Sequence, residues 1–327
     1  MNLTHEEAVE TGRLVLDSLV AQCLALLGDR LTLLVIRDLF LGRHRFEDFL
    51  QHTGAVRSTL ANRLKVLVAQ GIVYRHPYQT KPLRHEYRLT PKGLGLYDFA
   101  LSIWAWEQKW VNASTITLPP RLVHRTCASA FYPVCACARC HQAITVQSLS
   151  YVRTRAHNAL PRRTPASKRR SKASQVSSPG KDASLFHTID ALGDRWNNLI
   201  LGGALYGLRR YDDFQRGLGI STNILADRLK WLVSAELMER IAYQSAPQRY
   251  QYRLTQKGQD YLPIAMSLHK WSERWWLPSE GGNVILRHRC SPEPLQVSTR
   301  CSVCDQAVAP KDVTQQPPRP DSLTIAS

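Results

Sequence analysis

Compared with itself at an offset of 165 residues, this 327-residue chain matches without a gap, and that repeat limits what it can fold into. LLGDRLTLLVI from Leu26 faces ALGDRWNNLIL from Ala191, and RFEDF from Arg45 faces RYDDF from Arg210. STLANRLKVLV from Ser58 faces NILADRLKWLV from Asn223. YRLTPKG from Tyr87 faces YRLTQKG from Tyr252, and Trp106 and Trp110 face Trp271 and Trp275. Two copies of one fold are the economical explanation. The division that follows is a first copy over 1–112, a Cys-rich module over 113–150, a linker over 151–182, a second copy over 183–277, a second Cys-rich module over 278–313 and a loose tail over 314–327.

The linker is set apart by charge. Between Ser150 and Lys181 there are nine Lys or Arg and no acid, with Ser and Pro abundant and few apolar residues to build a core. It carries about half of the +17 formal charge. That excess of base points to a polyanionic partner, because neutralised phosphates release condensed counterions. The N-terminus is polar and acidic rather than basic then apolar, and no run approaches a membrane span, so a soluble, cytoplasmic protein with no membrane partner is expected.

Within one copy, apolar residues recur at helical spacing from Leu19 to Phe40, broken at Gly28 and Asp29, which predicts two helices. A short helix over 45–52, a turn at Gly54 (Gly219 in the second copy) and a longer helix over 58–68 make a helix-turn-helix layout. The alternating stretch 71–90, turning around Gln79 to Pro82, predicts a two-stranded ribbon. Thr90 as N-cap and Pro91 at the first helical position start a last helix that ends near Trp110. The expected fold is mainly α with small β-ribbons, an α+β chain of tandem winged helix-turn-helix domains, each followed by a small Cys-rich module.

The series LLGDR-x-x-LL, RF-x-DF, L-x-x-RLK-x-LV, PYQ-x-x-P and Y-x-LT-x-KG resembles the HxlR-type transcriptional regulators over about 95 residues of each copy. The resemblance implies winged-helix dimers that bind double-stranded DNA, usually as repressors, and that dimerise through their first and last helices. Here those regions are about 14–27 with 97–110, and 185–192 with 262–275. Regulators of this kind that sense oxidants do so through a cysteine at the position held here by Ser18 and Ala183, so that switch is absent. Cys23 lies on an apolar helix face and reads as core.

On a helical wheel Leu60, Leu64, Leu67 and Val68 share the face that must bury. Recognition helices read base edges with their N-terminal residues, which selects Arg57, Ser58, Thr59 and Asn62, with Arg63 and Lys65 suited to phosphates. The second copy offers Thr222, Asn223, Asp227, Arg228 and Lys230. In the wings Lys81, Arg84 and Arg249 stand near the tips and suit backbone or minor-groove contacts. Because the copies differ at Asn62 and Asp227, and at Val66 and Trp231, an imperfect inverted repeat is the expected target. A coil of about 30 residues spans roughly 30 Å, close to the ~34 Å between successive major-groove faces. One chain is therefore expected to act as an internal pseudo-dimer, with domain exchange between two chains as the rival arrangement.

Seven of the eight cysteines fall in two short tracts. Within each tract three thiols and one imidazole make a zinc-like set: His124, Cys127, Cys137 and Cys140 in the first, His288, Cys290, Cys301 and Cys304 in the second. Two structural zinc ions per chain are expected, against unliganded thiols or a metal or thiol sensor. No Gly follows either C-x-x-C to turn the backbone, and Cys135 and His141 are rival ligands. No carboxylate or nucleophile constellation accompanies the tracts, so no enzyme is expected. A non-specific nucleic-acid or protein-interaction module on the same scaffold is the competing class.

Overall fold

The computed structural model describes residues 3–111, 121–153, 186–276 and 284–316. Most of the linker expected over 151–182, Ala183, and the tail beyond residue 316 lie outside them.

In chain order the elements are α1 (His5–Leu16), α2 (Leu19–Leu27), α3 (Arg30–Phe40), α4 (Phe46–Thr53), α5 (Arg57–Ala69), β1 (Val73–Thr80), β2 (Leu83–Leu89), α6 (Pro91–Leu94) and α7 (Tyr97–Trp110). The first Cys-rich stretch adds β3 (Arg121–His124), β4 (Ser129–Ala130), β5 (Pro133–Cys137) and β6 (Leu149–Arg153). The second copy gives α8 (Phe186–Leu192), α9 (Arg195–Leu205), α10 (Tyr211–Leu218), α11 (Thr222–Ser234), β7 (Met238–Ser245), β8 (Gln248–Leu254), α12 (Gln256–Gln259) and α13 (Leu262–Trp275). The second Cys-rich stretch adds β9 (Val284–His288), β10 (Val297–Cys301) and β11 (Val313–Gln316).

Local chemistry sets the boundaries. Asp29 and Asp194, in the repeated GDR motif, cap α3 and α9: a carboxylate oxygen accepts from Thr32 N at 3.1 Å, and from Trp196 N and Asn197 N at 2.9 and 3.1 Å. Gly54 and Gly219 end α4 and α10 with φ of 65° and 63°, the left-handed geometry that lets the chain turn into the next helix. The wing hairpins are in matching register, Gln79 opposite Arg84 and Gln244 opposite Arg249, each closing on a cis proline, Pro82 or Pro247. The last helix of each copy is broken: α6 and α7, like α12 and α13, stand where one continuous helix was expected.

The sequence pattern passes over α1 entirely. Thr4 and Glu7 form a capping box at its start, and its apolar residues are sparse enough to hide the period. Ser18 then separates α1 from α2, its Oγ accepting from Ala21 N at 3.1 Å and donating to Val15 O at 2.7 Å.

The chain forms two compact units that interleave in sequence: Met1–Gly28, Cys135–Pro165 and Asp194–Ser298 in the first, Asp29–Val134, Ala166–Gly193 and Thr299–Ser327 in the second. Neither is one repeat copy. In the first unit the helices α9–α13 and wing β7–β8 of the second copy carry α1 and α2 of the first copy, with α1 on α10 and α2 on α13. In the second unit the helices α3–α7 and wing β1–β2 of the first copy carry α8 of the second, packed on α3 and α7. The two first helices have changed places.

Each exchange has its own contact chemistry. In the first unit α1 crosses α10 backbone to backbone: a Cβ added at Gly12 would sit about 2.0 Å from the carbonyl of Gly217, so only glycine fits. In the second unit buried Glu107 on α7 accepts from the Thr188 backbone N–H of α8 at 2.9 Å and from its hydroxyl. The core of each unit is apolar, with Phe49, Leu60, Leu64 and Leu67 fully buried in one and Phe214, Leu225 and Leu232 in the other. Cys23 is fully buried as well.

Candidate nucleic-acid interface and metal centres

Each unit presents a helix-turn-helix with its second helix built the same way. In α5, Leu60, Leu64 and Leu67 face the core, while Arg57, Ser58, Thr59, Asn62 and Lys65 are exposed. In α11, Leu225, Leu229 and Leu232 are buried, and Thr222, Asn223, Asp227 and Lys230 are exposed. Neither helix start has a side-chain cap, so its first N–H groups point outward and carry the positive end of the helix dipole. Val68, expected in the core, is only half-buried.

Arg228 differs from the expectation of a phosphate contact. It is buried, with Nε 3.0 Å and Nη2 2.9 Å from Oδ2 of Asp194, and it also pairs with Asp227. Its counterpart Arg63 makes the same bridge, Nη1 to Asp29 Oδ2 at 3.1 Å. Both arginines therefore tie the recognition helix to the N-cap of the core helix before it. The charge of Asp227 is in turn offset by Arg228. Arg57 remains exposed but leans on Glu47 at 2.9 Å and over the Phe46 ring.

The wings are tied to the scaffold along one side and open at their tips. Arg45 lies over the Tyr78 ring and Arg210 over the Tyr243 ring, each 4.7 Å from the centroid, joining the scaffold helix to the wing in both copies. The backbone N–H of Tyr87 donates to His44 O at 2.8 Å, as that of Tyr252 does to Arg209 O at 2.7 Å. Lys81, Arg84 and Arg249 are exposed at the hairpin ends.

All eight expected metal ligands come together, but not tract by tract. His124 and Cys127 meet Cys301 and Cys304 in the second unit, and Cys137 and Cys140 meet His288 and Cys290 in the first. This corrects the grouping within single tracts. Each tract's H-x-C or H-x-x-C half and its C-x-x-C half fall in different units, so each cluster is completed by the other tract. In both clusters the four donor atoms lie within 4.8 Å of one another. Sulfur–sulfur separations are 3.9 Å for Cys127–Cys301 and 3.7 Å for Cys137–Cys290. The imidazole Nδ1 lies 3.3 Å from Cys304 Sγ and 3.5 Å from Cys127 Sγ in one cluster, and 3.5 Å from Cys140 Sγ in the other. A tetrahedron with Zn–S of about 2.3 Å and Zn–N of about 2.0 Å has edges of roughly 3.5–3.8 Å. The donor sets fit that ion in kind and in spacing. Neither cluster includes Cys135 or His141.

The backbone supports the same reading. His141 and Asp305 follow the two C-x-x-C motifs with φ of 61° and 55°, so the tight turn forms without glycine. Val303 N–H points at Cys301 Sγ at 3.4 Å. The backbone N–H of Ser129 holds the Cys127 thiol down to about 7, favouring thiolate. Burial, with Arg289 nearby, lowers His288, favouring the neutral imidazole a metal needs. In the second unit, β11, β3 and β4 form a small sheet whose Leu122 and Phe131 pack with Leu101 and Trp104 of α7, so the module is anchored on the last helix.

The family model described as HxlR-like helix-turn-helix matches residues 26–115 and 191–280, two stretches at the repeat offset. The uncharacterized HTH-type transcriptional regulator Rv3095 of Mycobacterium tuberculosis is 34% identical over 134 residues, 41% of this chain and 85% of its own length. YvaP of Bacillus subtilis, another uncharacterized HTH-type transcriptional regulator, is 34% identical over 28% of this chain and 85% of its own. The HTH-type transcriptional regulator YodB of the same organism is 31% identical over 27% of this chain and 80% of its own. Among solved structures, PA1374 of Pseudomonas aeruginosa is 38% identical over 38% of this chain and 84% of its own, with a TM-score of 0.30.

Proposed function

Because this chain belongs to the HxlR-like helix-turn-helix family, a family of DNA-binding transcriptional regulators, we propose that it is a sequence-specific repressor acting as an intramolecular pseudo-dimer on an imperfect inverted repeat. The observation that carries this is the reciprocal exchange of first helices. α2 of the first copy packs on α13, the last helix of the second copy, and α8 packs on α7, the last helix of the first. Each unit then holds one recognition helix and one wing, and the exposed residues of α5 and α11 differ, Asn62 against Asp227 above all. Such a particle reads two unlike half-sites. It works in the cytoplasm, where the chromosome is, and has no enzymatic role. Among the described residues no single helix is long and apolar enough to cross a membrane.

The test is stoichiometry. One chain is expected to bind one operator, found by genome-wide mapping of bound sites, and light scattering of the complex should give one protein mass per duplex. A stable two-chain particle that needs both chains to hold one pair of half-sites would overturn the pseudo-dimer. Equal affinity for operator and random DNA would favour the non-specific module instead.

The cysteine clusters are proposed as two structural zinc sites. Closed sets of four protein ligands leave no open position for catalysis, and each ion would join the two Cys-rich tracts. Protein purified without chelator is expected to contain about two zinc ions per chain.

A further inference from the structure

The first unit contains an apolar cavity of about 160 Å³. Its walls come from α1 and α2 (Val15, Leu24), from α9 and α13 (Leu199, Met266) and from the strands of the Cys-rich stretches (Leu149, Leu286). No acid, lysine, arginine or histidine lines it. A cavity of about 150 Å³ with aliphatic walls takes up benzene, whereas a charged guest without a partner would not be tolerated.

The repeat shows what makes the room. Gly202 of α9, on the cavity wall, occupies the place of Arg37 in the first copy, whose buried guanidinium pairs with Asp38 at 2.8 Å. A Cβ at Gly202 would meet only Val15 Cγ1, at 3.3 Å. The second copy also turns an apolar pair polar on the same wall. Asn198 and Tyr261 stand where the first copy has Leu33 and Leu96, and the Tyr261 hydroxyl donates to Asn198 Oδ1 at 2.9 Å. Tyr151 and Tyr206, edge to face with centroids 5.1 Å apart, also border the cavity. A glycine where the first copy has a long side chain leaves space in a core that otherwise packs closely, and the hydrogen-bonded pair puts polar atoms on the wall of that space.

We infer that this cavity is a binding site for an uncharged, six-membered-ring molecule with one hydroxyl or carbonyl group, recognised on the Asn198–Tyr261 wall. The ligand would touch both the transferred helices α1 and α2 and the helices that receive them, and so would hold them together. Binding is read without DNA, so its failure would leave the proposed regulator function untouched.

The probes are 4-methylphenol and toluene, titrated by calorimetry into the full-length chain. 4-Methylphenol is expected to bind once per chain, with Kd on the order of 10–100 µM, about tenfold tighter than toluene, and to raise the melting midpoint. Filling the cavity with Gly202→Leu or Ala265→Leu should weaken both probes at least tenfold. Asn198→Leu with Tyr261→Leu, which restores the first copy's pair, should erase the preference for 4-methylphenol while toluene still binds. Absence of binding to the native chain would overturn the proposal. So would equal binding to a folded filling variant, or a preference that survives the double substitution.

Discussion

Arg63 and Arg228 occupy one place in the two repeats, and each reaches back to the aspartate that caps the preceding core helix. On a helical wheel both flank the polar face and look free for phosphate. A wheel carries no information about the Asp29 or Asp194 carboxylate presented from outside the helix, and that carboxylate decides the role. Arg228→Ala is expected to cost about 2 kcal/mol in urea unfolding, since it leaves a partly buried carboxylate without its partner. It should leave the salt dependence of DNA binding unchanged. Lys230→Ala, from an exposed position on the same helix, should lower that slope by about one while stability stays within about 0.5 kcal/mol. If the two substitutions exchanged these effects, Arg228 would be a DNA contact after all. The exposure of Arg57, Ser58, Thr59 and Asn62 was legible from spacing alone, because an amphipathic helix after a Gly turn fixes which face is wet. Asp227→Asn gives the second copy the first copy's residue. It is expected to shift the preferred base at the matching half-site position towards adenine, measured by selection from randomised duplexes.

At the scale of elements, the repeat made both wings and both helix-turn-helix pairs readable, yet it hid the exchange. A sequence compared with itself shows which segments are alike; it is blind to which copy each segment packs against. The metal ligands show this most clearly. Three cysteines and one histidine per cluster result whether the tracts close on themselves or on each other. The two groupings separate on a double substitution. His124→Ala with Cys304→Ala removes two ligands of one crossed cluster and should leave about one zinc per chain by metal analysis. Were the tracts closed on themselves, the same pair of changes would damage both sites and remove both ions. The seat of α1 is also testable. Gly217→Ala forces a methyl group towards the Ala8 carbonyl, 2.7 Å away, at the crossing with α1. The helices must separate, at a cost of about 1–3 kcal/mol. The matching residue of the first copy is His52, whose Nδ1 lies 4.0 Å from the buried carboxylate of Asp38.

At the scale of the whole molecule, the interleaving means that neither half of the sequence holds a complete unit. The first unit needs α1 and α2 from before residue 29 and α9 to α13 from after residue 193; the second needs α8 and the strand β11 added to α3–α7. The linker joins the copies, but the exchanged helices and the crossed clusters hold them as well. A protease site inserted near residue 174 should therefore cut the chain without releasing its parts. The two fragments are expected to elute together on size exclusion at micromolar concentration and to bind the operator as the intact chain does. Association rests on burial of α2 against α13 and of α8 against α7, and on clusters that draw their donors from both fragments, which the proposed zinc ions would tie together. Chelation should weaken it, so that fragments stable at high salt separate at a lower temperature once zinc is removed. Two fragments that part immediately on cleavage, each folded and each with its own metal ion, would show that the copies are self-contained and that the exchange of helices is not how this chain is built.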